Sequence, residues 1–506
     1  MPRFPHCALI ALALTATATA ARSQERAVAS ITAADIAARI GLLAHDSLRG
    51  RFTPSPELDQ AAAYVASEFA RVGLEPAGDR GAFIQWYRLD RPIPDTAASY
   101  VTVGAQRLHM GGDAIPWMLV DAAAPVTGRT VLVHGTTLPE HPLDLAGAVV
   151  ILVVPAQSTG QPAARARPLV LAVQQAGPAA IVIPADVSDG VWSQVVAQRF
   201  RTSLGPAWQR GGGLPSVLVR ERVLAPALSA AGFDLAAARR ADGPAQARTV
   251  NVPITVLTRT RAAESARAPN VAGLLRGSDP AVADEMIVLS AHMDHVGVTG
   301  VGRCRAVGAD SICNGADDNA SGTASVLELA EAFAALETRP RRSVLFVTVS
   351  GEERGLWGSD YFAAHPPVPI GQIVANLNLD MVGRNWPDTI VAIGREHSDL
   401  GATLARVEAA HPELGMAVRD DPWPTERFYY RSDHYNFARR GVPILFFFSG
   451  PHEDYHRPSD HNEKIDADKQ ARLTRLIFYL ALDVANAPER PAWVPTSYEA
   501  IVGGSR

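Results

Sequence analysis

From about Ile31 to Gly73 apolar residues recur at three- and four-residue steps: Ile36, Ile40 and Leu43, then Ala61, Tyr64, Val65, Phe69 and Val72. That period puts them on one face of a helix. Pro76-Ala77-Gly78-Asp79 then breaks the pattern. Between residues 103 and 257 the texture changes to short Val-rich runs, at 131–133, 149–154 and 180–183, separated by Gly and Pro. Such runs predict the strands of a separate, smaller β-rich or α/β module. After a linker at 259–268, strands alternate with helices, the pattern of a mostly parallel sheet. Four apolar runs there, at 286–289, 344–349, 373–379 and 444–448, are short and bounded by turn signals, as buried strands are. The expected fold is therefore α/β: a mixed, mostly parallel sheet flanked by helices, built from residues 28–102 and 268–490, with a smaller β-rich domain inserted at 103–257.

Length supports more than one domain, since 506 residues exceed what a single core usually serves. Hydrophobic residues at 47% and charged ones at 20% are ordinary for a globular chain and name no function. The formal charge of -5, with no long basic run, excludes a nucleic-acid binder. The N-terminus is more informative. Arg3 precedes an apolar run from Cys7 to Ala20, ending in Ala18-Thr19-Ala20 and the polar Ser23-Gln24-Glu25-Arg26. This order predicts a signal peptide over residues 1–23 and an exported protein, periplasmic or secreted. The run falls short of the roughly 20 residues that span a bilayer, and no later stretch reads as transmembrane, so no stable membrane insertion is expected once it is removed. Cys7 leaves with the signal. Cys304 and Cys313 remain, an even pair in an oxidising compartment, and a disulfide is expected in preference to free thiols or a zinc site lacking a CxxC pair.

Metal-ligand residue types follow each of the four apolar runs: His292 and Asp294 the first, Glu352 and Glu353 the second, Asp380 the third, His456 the fourth. Ligands gather outside the carboxyl ends of strands in open α/β sheets, so distant segments can converge there. Between the first two runs lies Asn314-Gly315-Ala316-Asp317-Asp318-Asn319-Ala320-Ser321-Gly322, leading into a helical pattern. Taken singly, paired acids there read more readily as a helix cap than as a metal site, one His reads more readily as structural, and Glu352-Glu353 reads as well as a solvated turn. Together, two imidazoles and three or four carboxylates form an O/N set that suits zinc. They are too many for one catalytic zinc, which takes three protein donors and an open position, whereas two metals sharing a carboxylate use them all. A further carboxylate must shuttle the proton of the attacking water, and the adjacent Glu352 and Glu353 can divide the two tasks.

The ordered motifs Ser290-Ala291-His292-Met293-Asp294-His295, residues 314–322, Gly351-Glu352-Glu353, Asn378-Leu379-Asp380-Met381 and Tyr455-His456-Arg457-Pro458-Ser459-Asp460 resemble those of the co-catalytic zinc exopeptidases, metallopeptidase family twenty-eight. That family includes bacterial leucyl aminopeptidases and glutamate carboxypeptidase. The resemblance implies a zinc aminopeptidase-like fold, two zinc ions per chain and peptide substrates; nothing in the sequence sets an oligomeric state. It assigns His292 and Asp380 to one zinc, Glu353 and His456 to the other, and Asp317 to the bridge, with a cis peptide bond at Asp317–Asp318. It makes Glu352 the general base and acid, gives Asp294 the orienting of His292, and sets Tyr429 where the family has a tyrosine that stabilises the oxyanion. Asp433 and His434 are implied to support the site, while His295, His452 and His461 are expected in ordinary polar roles. The insertion resembles the protease-associated domain of many members.

The function expected is a zinc-dependent aminopeptidase. The alternatives are a carboxypeptidase of the glutamate carboxypeptidase type, which needs an Arg clamp for the substrate carboxylate, and a single-zinc glutaminyl cyclase on the same scaffold. A non-catalytic receptor-like relative is disfavoured because every ligand position and Glu352 are intact. No Gly-x-Ser-x-Gly occurs, against a serine hydrolase.

Overall fold

The computed structural model describes residues 23–154, 162–209 and 213–505, so the expected signal, apart from Ser23, lies outside the described residues. Two compact units emerge, one of residues 23–87 and 267–505 and one of Arg88–Ala266.

In the first unit the four apolar runs form adjacent parallel strands in the order Ser343–Val349, Met286–His292, Ile373–Leu379, Ile444–Phe448. Antiparallel neighbours lie on either side: residues 271–275 of the strand Thr260–Leu275 pair with Ser343–Val349, and Thr389–Ile393 pairs with Ile444–Phe448. The mixed, mostly parallel sheet expected from the sequence is thus present. Side chains alternate between its faces. Ile287, Leu289, Val344 and Phe346 pack with the helices Ala33–Leu43, Pro56–Arg71, Gly322–Ala334 and Ala467–Asn486. Met286, Val288, Leu345 and Val347 pack on the other face with Phe362 and Phe437. Burial on both faces is why these strands read as unbroken apolar runs. Ser55 and Asp466 cap two of the helices, each accepting a backbone N–H three residues on.

The second unit holds a six-stranded sheet, with four parallel strands, Thr130–His134, Val149–Val153, Ala180–Ala185 and Ser216–Arg220, at its centre. A four-stranded antiparallel sheet completes it. It is wider than the expected 103–257. The chain enters along the strand Ile84–Pro94 and leaves along Thr260–Leu275. Residues 259–268 were expected as a linker, yet residues 260–268 are strand. Most of the residues from Thr260 to Arg267 are exposed or half-buried, so their polar composition imitates a loop. Among the described residues no helix is long and apolar enough to cross a membrane.

Candidate metal centre

The strand Met286–His292 lies between two parallel neighbours toward which the chain departs in opposite directions. This is a topological switch point, which opens a crevice beyond the strands' carboxyl ends. His292 ends its strand there, and Asp380 directly follows Ile373–Leu379. After Ser343–Val349 the chain turns at Gly351, φ 74°, where a Cβ would come within 2.8 Å of the Tyr87 hydroxyl. The turn delivers Glu352 and Glu353 to the same crevice. His456 arrives from the loop after Ile444–Phe448 with a left-handed φ of 57°, sparsely populated by residues other than glycine and common at functional positions.

Two buried donor groups result, His292 with Asp318 and Asp380, and His295 with Asp318 and Glu353. His292 Nε2 lies 3.2 Å from Asp380 Oδ1 and 3.4 Å from Asp318 Oδ1. His456 Nε2 lies 3.2 Å from Asp318 Oδ2 and 3.1 Å from Glu353 Oε2. Asp318 thus turns one oxygen to each group, the geometry of a bridging carboxylate. Asp318 Oδ2 and Glu353 Oε1 are buried without a hydrogen-bond partner in the protein, which an acceptor-only carboxylate tolerates poorly. A cation would satisfy both, and the imidazole and carboxylate donors suit zinc.

The bridge expected at Asp317 is therefore one residue misplaced. The N–H groups of Asp317 and Asp318 both donate to the Asp460 carboxylate, which seats this turn. Asp317 then points away from the crevice: its Oδ1 accepts the Gly383 N–H at 2.6 Å and its Oδ2 lies 3.2 Å from His452 Nε2. The cis peptide bond is correspondingly Asp318–Asn319, not Asp317–Asp318. Two adjacent aspartates are chemically identical in sequence, and only the seat supplied by Asp460, distant along the chain, separates them.

Residues 270–481 match the family model described as Peptidase family M28. Over this stretch the chain is similar to peptidase family M28. Its sequence is 29% identical over 224 residues to a "Probable zinc metalloprotease" of Pyrenophora tritici-repentis, covering 36% of this chain and 46% of that protein. It is 32% identical over 161 residues to "Leupeptin-inactivating enzyme 1" of Streptomyces exfoliatus, covering 31% of this chain and 34% of that one. The chain spans about half the length of the first relatives it matches, 46% to 59%. Among solved structures, an aminopeptidase from Aneurinibacillus sp. strain AM-1 aligns over 92% of this chain and 97% of that chain, with a TM-score of 0.47 and 18% identity.

Within the matched stretch, Asp294 takes up a bracing position. Its backbone carbonyl lies 3.1 Å and its Oδ1 3.7 Å from His292 Nδ1, while its carboxylate accepts from Thr53 Oγ1 at 2.8 Å and from the Glu352 N–H at 3.3 Å. Ser432 Oγ donates to Asp380 Oδ2 at 2.8 Å. Glu352 is half-buried, and its carboxyl is raised well above the usual range by burial, an effect opposed by His292 and reinforced by Glu353, Asp380 and Asp433. A cavity of about 360 Å³ opens beside it, lined also by Asp318, Asp380, Trp423, Glu426, Phe428, Arg431 and Tyr455.

Tyr429 is not brought to this cavity. Its ring packs against His397 and His434, and its hydroxyl is buried without a hydrogen-bond partner; the tyrosine that lines the cavity is Tyr455, stacked on His456 at 3.8 Å. His434 supports the Tyr429 segment, its Nε2 2.8 Å from the Tyr429 carbonyl. Asp433 is buried close enough to His292 and Asp380 to be influenced by their charge. His461 lies 3.6 Å from Asp310, an ordinary polar contact as expected.

Sequence reading missed Arg51. Although it is only 1% exposed, it donates to the carbonyls of Met293 at 2.8 Å, Asn314 at 2.7 Å and Gly315 at 3.0 Å, tying the His292 and Asp318 loops together. Nothing in the local sequence around Arg51 signals this, because these three carbonyls lie more than 240 residues away, and the Leu43 carbonyl, which it also binds, is a backbone atom that any residue could supply. Cys304 and Cys313 are joined as expected, with an S–S distance of 2.09 Å, on the loop leading into Asn314.

Proposed function

We propose that the chain is a two-zinc exopeptidase, an exported aminopeptidase that removes N-terminal residues from peptides. The observation carrying this reading is a pair of donor groups that share Asp318, with a carboxylate left over, Glu352, on the cavity wall beside them. His292, Asp380 and Asp318 would hold one zinc, and Glu353, His456 and Asp318 the other. Bound there, such a pair supplies Lewis acidity toward a peptide carbonyl and lowers the pKa of water to about 7. Glu352 would take up the proton on its carboxylate and return it to the leaving amine. Asp294 holds the His292 ring and, through the Glu352 N–H, the turn that presents the base.

Glu352 and Asp380 give the cavity an acceptor-rich wall suited to a free ammonium group. Arg431 favours the second reading, a carboxypeptidase, since it also lines the cavity. Its charge is already engaged by Glu426 at 3.1 Å and by the Phe428 ring at 4.7 Å, which supports the aminopeptidase. Arg439 and Arg440 are tied to Asp360.

The test is a panel of free-amine, N-acetylated and C-amidated peptides with zinc-saturated protein, alongside metal analysis. Two zinc ions per chain and cleavage abolished by acetylation are expected. Cleavage abolished by amidation instead identifies a carboxypeptidase; a single zinc with full activity returns the cyclase reading.

A further inference from the structure

His295 follows His292 by three residues and, in the sequence, has the look of a bystander. In the structure its surroundings are unusual. The ring is fully buried, and neither ring nitrogen has a hydrogen-bond partner in the protein. Nδ1 nonetheless lies 2.9 Å from Glu353 Oε1 and 3.6 Å from Asp318 Oδ2. The 2.9 Å contact lacks hydrogen-bond alignment, and both facing oxygens are themselves without hydrogen-bond partners. Three potential ligand atoms thus converge at short range without an aligned hydrogen bond among them. An imidazole lone pair and two carboxylates facing one another in this way repel unless a cation lies among them.

The backbone is built to hold the ring there. The His295 N–H donates to the Arg51 carbonyl at 3.3 Å and the Gly297 N–H to the Gly50 carbonyl at 3.2 Å, which fixes the segment after His292. Gly315, φ 60°, lies against the imidazole face: a Cβ there would approach His295 Cγ to 2.5 Å and Cδ2 to 2.6 Å. The loop carrying the bridging Asp318 therefore needs glycine at 315 to make room for this ring.

We propose that His295 is a sixth protein ligand of the metal pair, binding through Nδ1 to the ion held by Asp318, Glu353 and His456. The inference rests on the two-metal reading above. It makes the pair unequal. His292, Asp318 and Asp380 give one ion three protein donors, as in zinc sites that keep a position open for chemistry, whereas four donors are the number that closes a structural zinc site. The four-donor ion is the tightly retained one, and the three-donor ion exchanges first.

The test is zinc content of the full chain dialysed against a graded series of zinc buffers, for wild type, His295→Gln and Glu352→Gln. Wild type is expected to release its two ions in separate steps. In His295→Gln the tighter step should move to at least about tenfold higher free zinc, the lower end of the loss seen when even an outer partner of a ligand is removed, while Glu352→Gln retains both steps. A His295→Gln curve superimposed on that of wild type overturns this inference alone; a wild type that binds fewer than two ions overturns it together with the two-metal reading. Should the variant fail to fold, cobalt-substituted wild type decides the matter. Hyperfine-shifted NMR resonances from three imidazoles are expected, and resonances from only two overturn the inference.

Discussion

Asp317 and Asp318 differ by one position along the chain and by everything in their surroundings. Asp318→Asn weakens the one oxygen donor common to both groups, so zinc content and hydrolysis should fall together. Asp317→Ala leaves the Gly383 N–H without its acceptor and should cost about 1–3 kcal/mol of stability, with two zinc ions still bound. The reverse result, zinc lost only from the Asp317 variant, would return the bridge to that residue. Glu352 and Glu353 separate in the same way. Glu352→Gln should keep zinc and slow turnover by about 10²–10⁴-fold, the usual worth of general acid–base catalysis, whereas Glu353→Gln should weaken one ion as well. His434 gives a prediction in pH. Burial holds its pKa at about 3, below the ordinary 6.5, so the unfolded chain takes up a proton in this interval that the folded chain refuses. The stability it contributes is present above pH 6.5 and is lost as pH falls toward 3, at up to about 1.4 kcal/mol per unit. His434→Phe should therefore gain on wild type by about 2–3 kcal/mol between pH 7 and pH 4.5 in urea melts; parallel pH profiles would show that His434 is not held neutral.

At the scale of elements, ligands from four strand ends meet only because their loops are held in register. Arg51 does much of this, joining the loops after His292 and before Asp318 through three backbone carbonyls. Arg51→Met leaves those carbonyls buried and unpaired. A loss of at least about 3 kcal/mol in unfolding free energy is expected, with weaker zinc retention. The Cys304–Cys313 loop leads into the same segment. Unreduced protein should yield no alkylated Cys304 or Cys313, and reduction should cost about 2–3 kcal/mol for so short a loop. Quantitative alkylation without reductant would refute the bridge. Elements with strict periodicity, such as the helices Pro56–Arg71 and Gly322–Ala334 and the four central strands, were legible because burial dictates their apolar pattern. The strand at 260–268 was not, because backbone pairing requires no apolar side chains.

At the scale of the molecule, each unit has buried clusters of its own: Val271, Ile287 and Phe346 belong to one in the first unit, and Leu132, Ile151 and Val182 to one in the second. Calorimetry should resolve two unfolding transitions. Zinc binds only the folded first unit in this account, so chelation should lower one transition and leave the other unmoved; zinc at 100 times its Kd adds about 2.7 kcal/mol to that unit. A chelator shift shared equally by both would mean that they unfold as one.

The sequence by itself determined the class of sheet, the four strands whose ends carry chemistry, the disulfide pair and the donor types His292, Glu353, Asp380 and His456, because periodicity, turn residues and metal-ligand chemistry are written in residue type and spacing. Which of two neighbouring aspartates turns inward was decided by the Asp460 seat, and the exclusion of Tyr429 from the cavity by its packing against His397 and His434. The recruitment of His295 follows from the room left by Gly315 and the hold of the Arg51 backbone. These choices rest on contacts between segments more than a hundred residues apart or on the direction of a single side chain, and neither quantity exists until the chain has folded.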